Sequence, residues 1–304
     1  MSQESVFPHF KPLEIGDRET VHAFLWQYQP EISELTFSNL YMWRKKYHYR
    51  WALFENWLLL IATDENGKSY ALEPIGPPPR NKAVLQLLDY LSRQPSGKPE
   101  IDRADKRIVG ELQADQKFIA EPLREHFDYL YYTTNLVNLS GRRFHSKRNH
   151  LNRFFRNYRF DYQPLTDSHI SQCMEFSSRW CRVYHCKEGL SLCEEFVAIN
   201  EALAQFKKLH LSGAAIFIDG IMEAFTLGEL LNDNTAVIHV EKATSEYHGI
   251  YAAINQMFCT SSFKNTTYIN REQDLGNEGL RKAKLSYHPA KFVEKFRIKL
   301  QGRL

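Results

Sequence analysis

Between Arg271 and Lys284 the chain carries seven charged side chains: Arg271, Glu272, Asp274, Glu278, Arg281, Lys282 and Lys284. A turn that only joins a strand to a helix needs a capping residue and at most a glycine, which Asn277 with Gly276 or Gly279 supplies. The surplus charge asks for another reason. Glu278 lies three residues before Arg281 and four before Lys282, so these side chains share one helical face, with Lys284 at its margin. Two chemistries fit. One is a solvated face with an i,i+4 ion pair, worth about 0.3–0.5 kcal/mol. The other is a site at a strand-to-helix junction whose cations hold a phosphate, a carboxylate or a developing oxyanion. The extended run through Arg271 and Glu272, with Asp274, would line the same cleft, and His248 and His288 are imidazoles at hand for proton transfer.

The elements that must position these residues are legible in order. Asp17 is a candidate N-cap for a helix with the apolar stripe Val21, Phe24, Leu25, Tyr28, and Phe37 to Trp43 reads as a second short helix. Tyr47–Phe54, Trp57–Ala62 and Ser69–Pro74 read as a three-stranded antiparallel meander, the last turn containing Asn66-Gly67, and Ala83, Leu87, Leu88 and Leu91 mark an amphipathic helix. Ile101–Asp105 and Lys117–Glu121 are expected as strands around a helix near Lys106–Gln113, with a further strand within Phe127–Leu139.

From Arg142 to Arg159 basic residues alternate with Phe144, Leu151, Phe154, Phe155 and Tyr158, so a helix here buries an aromatic face and exposes a cationic one. Arg142, Arg143, Lys147, Arg148 and Arg153 are its candidate phosphate contacts, on tRNA or on an anionic headgroup. A merely solvated basic helix is the alternative. Beyond it come a strand at Arg159–Gln163, helices at Ser168–His185 and Ser191–Leu209, and a hairpin over Asp219-Gly220. A strand at Leu227–Leu231, a strand at Thr235–Glu241, a helix at Tyr247–Phe263, a strand ending at Asn270 and a helix at Asn277–Ser286 complete the half.

At 304 residues the chain is long enough for two ordinary cores, and 43% hydrophobic with 13% aromatic residues is a globular composition. A net charge of +3 is too small to indicate nucleic acid by itself, so any such reading depends on local clustering. The five cysteines are odd in number, and spacings of seven, four and six residues between Cys173, Cys181, Cys186 and Cys193 match no zinc pattern, so no metal is expected. Met1 to Lys11 has no signal-peptide core and no window has the ~18 apolar residues of a spanning helix, which gives a cytoplasmic expectation. Walker, Gly-x-Ser-x-Gly, His-Glu-x-x-His and dinucleotide fingerprints are absent.

Two blocks carry a resemblance. Gly279-Leu-Arg-x-x-Lys-x-x-Tyr-x-Pro289, followed by Phe292 to Arg297, and Leu139-Ser-Gly-Arg-Arg-Phe-His-Ser-Lys-Arg-Asn-His-Leu-Asn-Arg-Phe154 resemble the catalytic C-terminal domain of phosphatidylglycerol lysyltransferases and a soluble bacterial family that shares it. The resemblance implies an α+β chain of two tandem GNAT-like domains, residues 1–158 and 159–304, each a mixed, mostly antiparallel sheet flanked by helices. It implies Fem-type transfer of an aminoacyl group from charged tRNA to an amine or hydroxyl acceptor, such as an anionic lipid headgroup or a peptide amine. Arg281, Lys284 and Glu278 become the catalytic candidates; Arg271, Glu272, Asp274, Tyr251 and His248 become substrate-binding candidates.

GNAT proteins that use acyl-CoA bind pyrophosphate on an Arg/Gln-x-x-Gly-x-Gly/Ala turn. Here the stretch is Ser245-Glu-Tyr-His-Gly-Ile-Tyr-Ala-Ala253, where Gly249 remains but Tyr251 takes the central glycine position beside Glu246, so coenzyme A is not expected. An N-acyltransferase with another acyl donor, and a non-catalytic tRNA or anionic-lipid binder, stay open as alternatives.

Overall fold

The computed structural model describes residues 5–113, 115–184 and 190–302, with no side-chain description for 184 and 190–193. Cys186 lies outside the described residues, as does the side chain of Cys193; Cys173 and Cys259 are buried. The chain forms two compact units, one running up to Asp128 and resuming at Val293, the other spanning Tyr129–Phe292.

The first unit contains β1 (Lys11–Pro12), α1 (Arg18–Tyr28), α2 (Phe37–Met42), α3 (Arg44–Tyr47), β2 (Arg50–Phe54), β3 (Trp57–Thr63), β4 (Ser69–Ala71), α4 (Asn81–Ser92), β5 (Gly97–Ala104), α5 (Lys106–Leu112) and β6 (Phe118–Pro122). The second contains β7 (Asp128–Tyr132), α6 (Thr133–Asn138), α7 (His145–Asn157), β8 (Phe160–Pro164), α8 (Ile170–Tyr184), α9 (Leu190–Ala204), α10 (Phe206–Leu209), β9 (Ser212–Ile218), β10 (Ile221–Asn232), β11 (Thr235–Ala243), α11 (Ile250–Ser262), β12 (Tyr268–Asn270), α12 (Glu278–Leu285) and β13 (Lys291–Val293). The last strand, β14 (Phe296–Leu300), returns to the first unit.

Each unit has one seven-stranded sheet, in the orders β1-β2-β3-β4-β5-β14-β6 and β13-β7-β12-β11-β10-β9-β8. Each sheet contains a parallel step, β4 to β5 through α4 and β11 to β12 through α11, as parallel neighbours require a crossover. Nine further ladders are antiparallel, so the expected α+β architecture of two mixed, mostly antiparallel sheets with flanking helices is what the chain adopts. The meander β2-β3-β4 and the hairpin at Asp219-Gly220 form where the turn chemistry places them, and both turn residues have positive φ (52° and 79°).

The division of the chain differs from the boundary expected at 158/159. Tyr131 of β7 pairs with Ile269 of β12, and Leu151 and Phe154 of α7 are buried in the second core with Ile254, Phe258 and Ile269, so residues 129–158 belong to the second unit. Conversely β14 inserts between β5 and β6, where Ile298 joins Leu59, Ile61, Leu87 and Ile101 in the first core. The alternation over Phe296–Leu300 spans only five residues, a short signal for a strand. Two smaller differences are local. Residues 127–139 divide into β7 and α6, and 227–231 is the far half of β10, continued through a bulge at Leu227/Gly228. No helix among the described residues is long and apolar enough to cross a membrane.

Candidate functional site

In the second unit β11 and β12 are paired from Thr235↔Tyr268 to Val237↔Asn270, after which β11 runs on to Ala243 while the chain beyond Asn270 parts from β11, with Arg271 and Glu272 still bonded through their backbones to Tyr129 of β7. Local chemistry forces the departure. Glu272 and Leu275 adopt positive φ (56° and 51°), Asn270 Oδ1 accepts the Glu272 amide at 2.7 Å, and Asp274 Oδ1 accepts the Gly276 amide at 2.9 Å. Carboxyl ends of diverging parallel strands are where open sheets make room for ligands, and here charged side chains occupy that ground.

Arg271 donates through Nη2 to Glu241 Oε1 at 2.7 Å, and Asn255 of α11 donates to Glu241 Oε2 at 2.7 Å. The guanidinium lies 4.8 Å from the Tyr287 ring centroid and 5.8 Å from that of Tyr131. Its other terminal nitrogen, Nη1, is buried with no partner in hydrogen-bonding geometry among the described residues, although the guanidinium is close enough to Tyr287 to favour its phenolate. Burial opposes the charge on Arg271, but Glu241 together with Tyr131, Tyr287 and Cys259 outweighs it, so the guanidinium is held more firmly protonated than usual.

His239 bridges two acids, with Nδ1 2.8 Å from Glu272 Oε1 and Nε2 3.0 Å from Glu229 Oε1. Burial alone would lower its pKa, but bonds to Glu229 and Glu272 raise it to about 9, so the ring is an imidazolium donating from both nitrogens. Glu272, expected as a substrate contact, is thereby committed to His239.

Of the three side chains expected to act together on α12, Glu278 and Arg281 border one depression while Lys284 is turned away from them. Arg281 makes a two-pronged pair with Asp274, Nε to Oδ2 and Nη2 to Oδ1 at 2.9 Å each, and Tyr129 donates to the same carboxylate at 2.6 Å. Burial would raise Asp274, yet Arg281, Tyr129 and the Gly276 amide together hold it far below the ordinary carboxylate range. Lys284 is buried, and its ammonium donates to the backbone carbonyls of Arg271 at 2.5 Å and Gln273 at 2.6 Å; it braces the loop and offers nothing outward. The reason is the helix period: six residues from Glu278 to Lys284 turn about 240°, onto another face. Glu278 is exposed, and with Arg281, Lys282, Leu285 and Ser286 it lines a shallow depression on the outer side of α12.

The basic segment divides in the same way. Arg142, Arg143 and Arg153 are exposed. Arg148 turns its guanidinium onto the carbonyls of Leu139 and Gly141, the latter at 2.7 Å, and so caps the C-terminal end of α6. Lys147 turns inward, its ammonium 4.1 Å from the Tyr287 ring centroid. Burial, then the charge of Arg271, lowers its pKa to about 8. His248 stacks on His150 of α7 with ring centroids 4.8 Å apart, and Tyr251 is 38% exposed. Gly249 (φ 94°) backs directly onto α7, where a Cβ would stand 2.2 Å from the His150 carbonyl oxygen.

Glu241, His239, Glu229, Asn255, Tyr131 and Tyr287 were not read as site residues from sequence. The available signal is His239 inside the otherwise apolar run Ala236–Val240 and Glu241 directly after it, two residues apart, where polar side chains at strand period need partners. A second hollow at the β8–β9 side, among Arg159, Asp161, His169 and Asp219, is open and does not adjoin these groups.

Residues 26–299 match the family model described as phosphatidylglycerol lysyltransferase, C-terminal. A conserved protein of unknown function from Bacteroides thetaiotaomicron VPI-5482 is 33% identical and superposes with a TM-score of 0.90 over 96% of this chain and 99% of its own. L-PGS from Bacillus licheniformis is 15% identical with a TM-score of 0.65, covering 100% of this chain and 95% of that one. FemX is 9% identical with a TM-score of 0.60, covering 96% and 97%. The latter two show the fold alone, as does the likeness to tandem GNAT proteins. An uncharacterized protein of Mycoplasmoides gallisepticum is 26% identical over 177 residues, 57% of this chain and 56% of that protein, so the match spans about half of that curated relative. With nearly its whole length matched and both units built as GNAT-like sheets, the chain belongs to the phosphatidylglycerol lysyltransferase C-terminal domain family.

Proposed function

We propose that the protein transfers an aminoacyl group from charged tRNA to an amine or hydroxyl acceptor, with the reaction centred on Arg271 in the second unit. The observation that carries this reading is the buried Arg271 guanidinium, held by Glu241 and set against Tyr287, with its Nη1 outside hydrogen-bonding geometry to any described residue, at the place where β11 and β12 part. An aminoacyl ester is already activated, so the enzyme has to position the acceptor and stabilise the tetrahedral oxyanion; one such donor is worth about 2.7–4 kcal/mol. Glu241 and Asn255 fix the guanidinium in place, and Lys284, Arg281 and Asp274 hold the loop that carries it. Glu278, free to face solvent beside the α12 depression, is placed to receive the donor's ammonium, while Arg142, Arg143 and Arg153 remain available to tRNA phosphates. The acceptor is an anionic lipid headgroup or a peptide amine, and a tRNA donor places the reaction in the cytoplasm.

The packing of Gly249 on α7 supports a donor other than coenzyme A, because the backbone turn that would cradle pyrophosphate is covered by the His150 carbonyl. Incubation with a mixture of radiolabelled aminoacyl-tRNAs and cell extract tests the reading. Release of label from one tRNA species, abolished in Arg271→Met, is the expected result. Salt-dependent tRNA binding without turnover makes the protein a binder, and thermal stabilisation by coenzyme A thioesters makes it an acyl-CoA enzyme.

A further inference from the structure

Among the basic residues of α7, Lys147 is the one that enters the site. Its ammonium and the Arg271 guanidinium lie against the same tyrosine, 4.1 and 4.8 Å from the Tyr287 ring centroid. Lys147 is half-buried and has no hydrogen-bond or ion-pair partner among the described residues. The acid of the network, Glu241, is already engaged by Arg271 and Asn255. The titratable and charged groups shown to act on Lys147 are Arg271, Tyr287 under its ammonium and His150 on α7 itself, with Tyr131 and Cys259 standing beyond, next to Arg271; none of these offers a carboxylate. An amine packed on an aromatic ring, with a permanent cation beside it and no counter-ion, has lost the two things that keep lysine protonated, water and an acid. The two depressing causes, burial first and Arg271 second, bring Lys147 to about 8, so that part of it is neutral amine at ordinary pH. Arg142, Arg143 and Arg153, by contrast, are exposed where a phosphate can reach them.

We propose that Lys147 is the proton-transfer group of this site, taking a proton from the attacking acceptor and passing it to the departing ribose oxygen, and is not a phosphate contact. This rests on the aminoacyl-transfer reading. As the acceptor's nitrogen or oxygen bonds to the ester carbonyl carbon, its proton moves to the neutral Lys147 amine, and the carbonyl electron pair becomes an oxyanion facing Arg271 Nη1. Collapse of that intermediate breaks the bond from the carbonyl carbon to the ribose oxygen, which leaves with the proton from the Lys147 ammonium. The amine is regenerated and no further reactant is needed.

The test uses the full chain, Lys147→Met and Lys147→Arg, with thermal melts confirming that each variant folds. For the wild type, the transfer rate should rise with pH through a limb centred near 8, and Lys147→Met should lower the rate by about 10²–10⁴-fold and erase the limb, as loss of a general base does. tRNA affinity should change less than about twofold. If instead Lys147→Met weakens tRNA binding, reduces the salt slope by about one and leaves the pH limb intact, Lys147 is a phosphate contact and the proposal falls. Reaction of Lys147 with an amine-directed reagent across pH, followed by peptide mass spectrometry, reads the amine without any turnover. A midpoint near 8 is expected, and one near 10.5 overturns the proposal even if transfer occurs. Absence of transfer by the wild type with every charged tRNA overturns the parent reading, and the proton role with it.

Discussion

Arg271 and Glu241 are a pair in which each partner is nearly buried, with 14% and 12% of the side chains exposed. Removing one member of such a pair strands the other in a poorly hydrated place, which typically costs about 3–5 kcal/mol, whereas removing both costs much less. Arg271→Met and Glu241→Gln should each lower the urea midpoint strongly, with the double variant more stable than the sum of the two losses; additive losses would show that the pair is solvated. Lys284→Met should cost about 1.5–3 kcal/mol, since two backbone carbonyls lose a charged donor. It should also slow transfer by loosening the loop that carries Arg271, with tRNA binding unchanged in a filter-binding assay. At this scale the sequence was informative about where charge gathers and silent about direction. Arg281 and Asp274 are seven residues apart across a turn, and only the turn's positive-φ residues bring them into a bidentate pair in place of the i,i+3 and i,i+4 partnerships that helix spacing suggests.

For the elements, the contact between α7 and the start of α11 sets where Lys147 points. Gly249 makes it possible, because any side chain there would meet the α7 backbone and would also have to adopt a positive φ. Gly249→Ala is expected to destabilise by about 1–3 kcal/mol from backbone strain, plus the clash, and to reduce transfer by displacing α7. Equilibrium unfolding and a single-turnover assay check the two effects separately, and a fully stable, fully active variant would show that the helices do not need this approach. That α7 would be amphipathic was plain from the spacing of Leu151 and Phe154, both buried in the second core. Which basic side chains remain outside was not, because Arg148 and Lys147 are adjacent in sequence, yet one caps α6 and the other enters the site. Such a difference depends on neighbours that come from α6 and from Tyr287, two residues beyond α12.

Across the whole molecule, buried titratable groups shape the response to pH. Glu73, in the first unit, is pushed up to about 8 by burial and then by Asp105, and His239 is raised to about 9 by its two acids against the effect of burial. Both have folded pKa values above their unfolded ones, so their stabilisation is present at low pH and is lost as pH rises, for Glu73 from about 4.5 to 8 and for His239 from about 6.5 to 9. Lys147 is lowered, so its contribution runs the other way, recovering between about 8 and 10.5. Urea midpoints should therefore fall from pH 6 to pH 9, with Glu73→Gln flattening the lower part of the slope and His239→Gln the upper part; an unchanged slope in His239→Gln would mean the imidazole is neutral in the fold. The sequence by itself determined most helices and most strands through periodicity and turn residues, and its two motif blocks carried the family resemblance that implied two sheets, because these are local properties of the chain. Tertiary structure alone decided that residues 129–158 join the second unit, that β14 returns to the first sheet, and that Glu241, His239 and Tyr287 surround Arg271 while Lys284 serves the backbone. Strand pairing and the partners of buried charges are set by residues distant in sequence, and which pairing wins depends on the desolvation that packing imposes.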